Sequence, residues 1–182
     1  QIDLPKKFPV DVNALEAEAF CRYISSRDGL TYLLPSEGEY EAICNFAGVG
    51  EVIDEEEANV NFKHASSTPV DRYSMNGIYD VVGNVWQWSR TLMHPFEGFE
   101  VHPAYDDFTV PTFDNKHALI LGASWASSGN LIVKKSRYAF RKHFHQHAGF
   151  RYVVTEKKED RLKDIYETDE LVSQYCEFQY GD

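Results

Sequence analysis

The chain has 182 residues, of which 43% are hydrophobic, and its 29 acids against 18 Lys and Arg give a formal net charge of −11. This length and composition predict one domain with a real core. They disfavour a nucleic-acid partner, because phosphate binding needs clustered Lys and Arg. The segment 155–182 holds nine acids and four bases, a net of −5, which leaves −6 for the first 154 residues.

Cysteine usage and hydropathy indicate the compartment. Cys21, Cys44 and Cys176 are an odd number without C-x-x-C spacing, which favours buried, reduced thiols and a cytoplasmic location. No apolar run reaches the roughly 18 residues that span a bilayer, so we expect no membrane partner. The chain begins at Gln1 rather than Met, and we interpret it as part of a longer protein; processing is the alternative explanation.

Two helices are predicted near the start of the chain. Asn13 with Glu16 forms a capping box, and the pattern up to Gly29 predicts a helix over about 14–27. Its expected apolar face is Leu15, Ala19, Phe20, Tyr23 and Ile24. Ser36, Glu39 and Gly48 repeat this capping pattern for a second, shorter helix, whose expected apolar stripe is Tyr40, Ile43, Cys44 and Ala47.

Short apolar segments after Gly50 predict strands, best in VVGNVWQW (81–88), ALILGASWAS (118–127) and AGFRYVV (148–154). Trp86 and Trp88 would share one face of a strand and form the wall of a core or of a pocket. The 22 residues of 94–115 are rich in Pro, Asp, His and aromatics, which favours a functional loop. Residues 155–182 predict a charged linker followed by a helix.

Five ordered motifs carry a resemblance to a known family. They are LLPSEGEYEAI, GIYDVVGNVWQW, LILGASWAS, SRYAFR and AGFR. In this order they resemble the formylglycine-generating-enzyme and sulfatase-modifying family over about residues 9–154. The resemblance implies an α+β domain with a C-type-lectin-like fold over 1–154: two early helices, an antiparallel sheet core and long irregular loops. Residues 155–182 are then an acidic junction toward a methyltransferase domain that is missing from this chain.

The segment from Phe96 to Val153 looks most similar to the branch that contains the 5-histidylcysteine sulfoxide synthases of ovothiol biosynthesis. Such proteins join the sulfur of cysteine to the imidazole of histidine with O2 at a non-haem Fe(II). In that family an N-terminal helical bundle supplies iron ligands through an H-x-x-x-H-x-E motif, which this chain lacks. The resemblance therefore implies no metal ligand here, inactivity without the bundle, and S-adenosylmethionine as the cofactor of the methyltransferase.

Tyr105 is the predicted catalytic residue. HPAYDDF matches the place where these synthases carry a tyrosine that donates a proton or a hydrogen atom, and a phenol stays protonated at neutral pH. The alternative is a tyrosine that packs under the loop. Asp107, with Asp106 and His102 beside it, is a candidate for holding a substrate ammonium, although loops also use Asp in turns.

The remaining candidates for substrate binding lie in the last third of the domain. Arg137 and Arg141 can clamp a carboxylate, or they can stabilise the fold by pairing with acids. His143, His145 and His147 alternate, so on a strand they would share a face and could chelate a metal; contact with substrate and a plain structural role are the other interpretations. Asn130 is expected to line the pocket.

Three further interpretations follow from the same residues. Ala123, in place of a glycine, favours a negative backbone φ or a small strain. The formylglycine reaction itself is excluded, because the late region 127–141 holds no cysteine pair. As alternatives to the ovothiol-type synthase, the chain could be a ligand-binding or scaffold module of a methyltransferase-containing protein, or an ergothioneine-type sulfoxide synthase domain.

Overall fold

The computed structural model describes residues 5–106 and 110–155, in which two helices with one short strand between them precede the remaining strands. Helix α1 spans Ala14–Asp28, strand β1 Thr31–Leu33 and helix α2 Glu37–Ala47. The later strands are β2 Ser74–Met75, β3 Ile78–Tyr79, β4 Trp86–Leu92, β5 His117–Leu121, β6 Arg137–Arg141, β7 Ala148–Phe150 and β8 Val153–Thr155. The predicted α+β class is confirmed.

Strands β6, β5, β4 and β7 form the central sheet in that order. The β4–β5 and β5–β6 pairs are antiparallel, as predicted, whereas β7 joins β4 in parallel. The segment 148–154, predicted as one strand, is divided, since β7 pairs with β4 while β8 pairs with β1. The chain must therefore turn between two sheets at Arg151, whose Nη2 donates to the carbonyl of Tyr79 at 2.8 Å.

Both helices have the capping boxes that their sequences predict. Asn13 and Glu16 exchange side-chain and backbone hydrogen bonds at the start of α1, and Ser36 and Glu39 do so at α2. Gly29 and Gly48 end the helices in the left-handed conformation. The stripe predicted for α2 is also confirmed, because Tyr40, Cys44 and Ala47 are buried.

The apolar face predicted for α1 is wrong. Its buried residues are Ala14, Ala17 and Cys21, whereas Leu15 and Tyr23 are 46% and 57% exposed. Small side chains let the helix approach β1 and β4 closely, and the larger apolar residues remain at the rim. Cys21 and Cys44 are free and buried as predicted, while Cys176 lies outside the described residues. No helix in the described part of the chain is long and apolar enough to cross a bilayer.

The two tryptophans fill the core. Trp88 is fully buried, and its Nε1–H donates to the carbonyl of Val12 at 2.8 Å. Trp86 is buried on the same strand, with its ring edge-on to Tyr138 at 6.1 Å between centroids. Of the two predicted alternatives, core and pocket wall, the core is therefore the one observed. Strand β4 begins at Trp86 rather than at Val81, because the preceding residues form a tight corner.

Ala123 follows Gly122 at the end of β5, and both residues have positive φ, 66° and 90°. The prediction of a negative φ for Ala123 is therefore wrong. The alternative prediction was a small strain, and an alanine with positive φ has such a strain. The turn brings the N–H of Trp125 to the carbonyl of Asn84 at 3.0 Å. The two corners that flank β4 and β5 are thus joined directly.

Candidate functional site

The corner before β4 is held by one buried asparagine side chain. Asn84 Nδ2 donates to Thr68 O at 3.0 Å and to Asp80 Oδ2 at 2.8 Å. Its Oδ1 accepts from the Thr68 N–H at 2.8 Å and from Asn59 Nδ2 at 3.1 Å. Gly83 has φ 75°, and a Cβ there would lie 2.8 Å from Asn59 O. The Gly83–Asn84 corner therefore has a structural role, because the donors and acceptor of the Asn84 side chain bond to other residues of the domain.

Asp80 lies beside this corner with an unusual environment. Its Oδ1 is buried and has no hydrogen-bond partner in 5–106 or 110–155. Burial raises the pKa of Asp80 to about 6 from the ordinary 3.8, and the Asn84 hydrogen bond and the Arg151 charge only partly oppose that effect. Arg151 is held by Gln87 Oε1 at 3.1 Å and by the carbonyl of Asp80 at 3.0 Å, which indicates a structural role.

The raised pKa of Asp80 makes stability depend on pH. The folded state binds the proton more strongly than the unfolded state, so this group stabilises the fold fully below pH 3.8, and that contribution is lost as pH rises through about 6. Asp80→Asn, which is neutral at every pH, is expected to raise the melting temperature at pH 7.5 and to have little effect at pH 4. Thermal unfolding followed by circular dichroism at both pH values measures this.

Asp71 provides a control of opposite sign. Its hydrogen bond from Lys7 lowers the pKa of the carboxyl below the ordinary value, so Asp71→Asn should reduce stability slightly at pH 7.5 and not at pH 3. An Asp80→Asn variant that is less stable than the natural chain at pH 7.5 would contradict the account of Asp80.

Tyr105 is 62% exposed on the long loop. Its backbone N–H donates to the carbonyl of His102 at 2.8 Å, and His102 Nδ1 accepts from the Ala104 N–H at 3.1 Å. Asp106 is exposed next to it, and Asp107 lies outside the described residues. The residue is thus largely exposed to solvent, whereas the alternative interpretation required it to be packed under the loop.

Arg141 ends β6 and is paired with an acid of the same domain. Its Nη2 donates to Asp114 Oδ2 at 3.0 Å, and His117 Nδ1 lies 2.7 Å from Asp114 Oδ1. Burial opposes the ionisation of Asp114, but the hydrogen bonds from His117 and the Lys116 N–H lower its pKa below the ordinary value. A substrate carboxylate at Arg141 would share this guanidinium with Asp114.

The three histidines lie in the turn and loop between β6 and β7, not on a strand, so the premise of a shared face is wrong. His145 Nε2 is 3.3 Å from Asn13 Nδ2, His147 Nδ1 is 3.4 Å from Asp11 Oδ2, and the His143 ring contacts Phe144. All three rings are exposed and have different neighbours. Within the described ranges no three His, Cys, Asp or Glu side chains are grouped to hold a metal ion, so the residues present do not fit an iron site.

Arg137 begins β6 and lines a cavity of about 490 Å³. Its Nε is 3.1 Å from Glu37 Oε1, and its guanidinium lies 4.5 Å from the ring centre of Phe96. The other residues that line this cavity are Gly38, Tyr40, Glu41, Cys44, Leu121, Lys134 and Lys135. Asn130 is exposed on a short 3-10 turn, Gly129–Leu131, and its carbonyl accepts from Ser136 Oγ at 3.2 Å.

The predicted residues therefore fall into separate groups: Tyr105 on its loop, Arg141 with Asp114, the histidines near α1, and Arg137 in its cavity. The sequence missed Phe96 and Glu37 as neighbours of Arg137, because they lie 41 and 100 positions away along the chain. The aromatic content of the 94–115 loop was the one available signal for Phe96.

A helix pair followed by a small mixed sheet, with most candidate polar residues on long loops, defines an α+β domain whose site is built on loops. Comparison with family models is more specific. The chain belongs to the family described as the Sulfatase-modifying factor enzyme 1-like domain, whose model matches residues 2–156. The resemblance carried by the five motifs is thereby confirmed.

Among curated proteins, the hercynine oxygenase of Mycobacterium tuberculosis is 29% identical over 140 residues, 68% of this chain and 31% of that protein. Ergothioneine biosynthesis protein 1 is 30% identical in Schizosaccharomyces pombe, over 65% of this chain and 15% of that protein. The Neurospora crassa protein of the same name is 32% identical over 43% of this chain and 9% of that protein. The chain thus spans less than a third of the length of these relatives.

Solved structures support the fold. Treponema denticola variable protein 1 has a TM-score of 0.67 and 17% identity, over 85% of this chain and 73% of that one. PvdO from Pseudomonas aeruginosa has a TM-score of 0.62 and 19% identity, over 81% of this chain and 61% of that one. At these identities the likeness concerns the fold alone.

Proposed function

We propose that this chain is the substrate-binding domain of a sulfoxide synthase that joins the sulfur of cysteine to the imidazole of histidine, as in ovothiol biosynthesis. The observation that carries the sulfoxide-synthase part of the proposal is the similarity to a hercynine oxygenase over 68% of the chain. The choice of histidine as substrate rests on the resemblance of residues 96–153 to the ovothiol branch. The exposed position of Tyr105 on the long loop is consistent with a role at a reaction centre shared with another domain.

The overall chemistry has a simple balance. A thiol RSH, an imidazole C–H and O2 give the sulfoxide RS(O)R′ and one water, so O2 accepts four electrons while the C–S and S–O bonds form. The iron that activates O2 belongs, in this proposal, to a helical bundle outside this chain, since no described cluster fits it. The chain alone is then inactive, and its own residues bind substrate and move protons.

Tyr105 is the proposed proton donor of this domain, because the residue is largely exposed and a phenol O–H can donate a proton. Arg141, His143, His145, Asn130 and Asp107 are the proposed substrate contacts. Of the described members of this set, Arg141 has a guanidinium suited to a carboxylate, and the two histidine rings are exposed to solvent.

Tyr105→Phe in the iron-loaded full-length protein tests the catalytic assignment. Loss of a positioned proton donor is expected to slow C–S coupling by roughly a hundredfold. The rate of coupled product, followed by mass spectrometry with cysteine, histidine and O2, is the measurement. Tyr23→Phe, at a similarly exposed tyrosine on α1, is the control and should leave the rate unchanged. An unaltered rate and product distribution in Tyr105→Phe would show that the phenol has no such role.

A second candidate is an ergothioneine-type synthase, favoured by the names of the curated relatives. Parallel assays with histidine and with its trimethylated form, hercynine, separate the two, since the ovothiol-type proposal predicts preference for histidine. A scaffold module of a methyltransferase-containing protein would turn over neither. A methyltransferase domain that uses S-adenosylmethionine, the junction at 155–182 and a cytoplasmic location remain parts of the proposal.

A further inference from the structure

The cavity of about 490 Å³ between α2 and β6 has the size of a small-molecule site. Helix α2 provides one wall through Glu37, Tyr40 and Glu41, and Arg137 with the preceding Lys134 and Lys135 provides the opposite one. Three cationic and two anionic side chains therefore surround the cavity. The buried residues Tyr40 and Cys44 complete its lining.

The guanidinium of Arg137 has unused hydrogen-bonding capacity. Its side chain is only 14% exposed, yet Nε and Nη2 are buried without a hydrogen-bond partner in the described part of the chain. Glu37 Oε1 lies 3.1 Å from Nε as an ion-pair partner, but it approaches outside hydrogen-bond geometry. Nε and Nη2 form one edge of the guanidinium fork, the arrangement that binds a carboxylate through two parallel hydrogen bonds.

Phe96 packs against this guanidinium. Arg137 Cζ lies over the Phe96 ring, 4.5 Å from its centre, in a cation–π contact that helps to hold the group in place. Burial lowers the pKa of Arg137, and Glu37 opposes this effect, but an arginine remains charged at neutral pH. The cavity thus contains a permanently charged, oriented and under-bonded donor.

We propose that this cavity binds the carboxylate of a free α-amino acid on the Nε–Nη2 edge of Arg137, with the ammonium group toward Glu41 on the exposed rim. The two glutamates disfavour a phosphate dianion and suit a ligand that carries both charges. The identification of the amino acid as histidine rests on the proposed function. The carboxylate subsite itself requires neither iron nor another domain.

Titration of the 182-residue chain with L-histidine, followed by isothermal calorimetry, tests the pocket. Arg137→Gln is expected to weaken binding by roughly tenfold to a hundredfold, because a charge-assisted bidentate contact is lost. Arg137→Lys keeps the positive charge but lacks the two parallel N–H donors of the guanidinium, so it should retain only part of the affinity for L-histidine. Arg72→Gln is the matched control: that guanidinium also lies over a ring, at 5.7 Å from Tyr73, but outside the cavity. It should bind as the natural chain does.

Histamine, which lacks the carboxylate, and inorganic phosphate are expected to bind at least tenfold more weakly than histidine. Equal binding of either, or unchanged histidine affinity in Arg137→Gln, would overturn the proposal. If Arg137→Gln does not fold by circular dichroism, Phe96→Ala on the exposed loop replaces it, with several-fold weaker binding expected and unchanged binding contradicting the pocket. Histidine binding that persists while the iron-loaded protein makes no coupled product would contradict the proposed function and leave this site intact.

Discussion

Gly83→Ala is expected to destabilise the domain more than substitutions of exposed residues such as Asp71→Asn do. The residue has φ 75°, and an added Cβ would lie 2.8 Å from Asn59 O and 3.1 Å from Ala58 Cβ. A left-handed alanine costs about 1–2 kcal/mol and an overpacked buried contact about 1–3 kcal/mol more. The free energy of unfolding should therefore fall by roughly 2–5 kcal/mol, measured by urea denaturation.

Gly77 separates the two contributions. It has φ 80°, but a Cβ added there would meet no atom of the described residues within 4 Å beyond its chain neighbours, so Gly77→Ala carries the backbone strain alone. It should cost about 1–2 kcal/mol. Equal losses in the two alanine variants would show that close packing against Asn59 is not what requires a glycine at position 83.

Asn84→Ala is expected to cost about 3–5 kcal/mol, because a buried polar group left without a partner costs about 1–3 kcal/mol. The change removes the five hydrogen bonds of the Asn84 side chain. It leaves the Thr68 N–H without this acceptor and Asn59 Nδ2 with Ser66 O alone. Urea denaturation again gives the value, and circular dichroism at zero denaturant shows whether the variant folds.

Asn76 is the matched control for this substitution. It also has a positive φ, 48°, but its side chain is exposed and makes one described hydrogen bond, from Nδ2 to Phe46 O at 2.9 Å. The backbone effect of losing asparagine is therefore similar at both sites, and Asn76→Ala should cost about 1 kcal/mol. A smaller loss at Asn84 than at Asn76 would contradict the role of the buried network.

Local signals in the sequence were sufficient for the helices. Capping boxes such as Asn13 with Glu16 act over three residues, so they can be read without the fold. The buried face of α1 could not be read in this way. Close approach to the sheet selects Ala14 and Ala17, while Phe20 is left at the rim against Phe150, and that choice depends on tertiary packing.

The candidate site depended still more on tertiary structure. Alternation predicted one face for His143, His145 and His147 only on a strand, and the chain leaves β6 at Arg141 before reaching them. The cavity of Arg137 joins α2, the 94–115 loop and β6, which no spacing rule connects. The order of the five motifs, in contrast, identified the family correctly. Each motif is a run of consecutive residues, so it can be recognised without knowing which residues it contacts in the fold.

The central claim is that this domain shapes the substrate site of a sulfoxide synthase whose metal is bound elsewhere. Reaction of the Fe(II)-loaded full-length protein with cysteine, histidine and O2, followed by mass spectrometry, tests it most directly. The account predicts a product with the combined mass of both amino acids, less two hydrogens and plus one oxygen, and none from residues 1–182 alone. Absence of that product from iron-loaded, folded full-length protein would contradict the account.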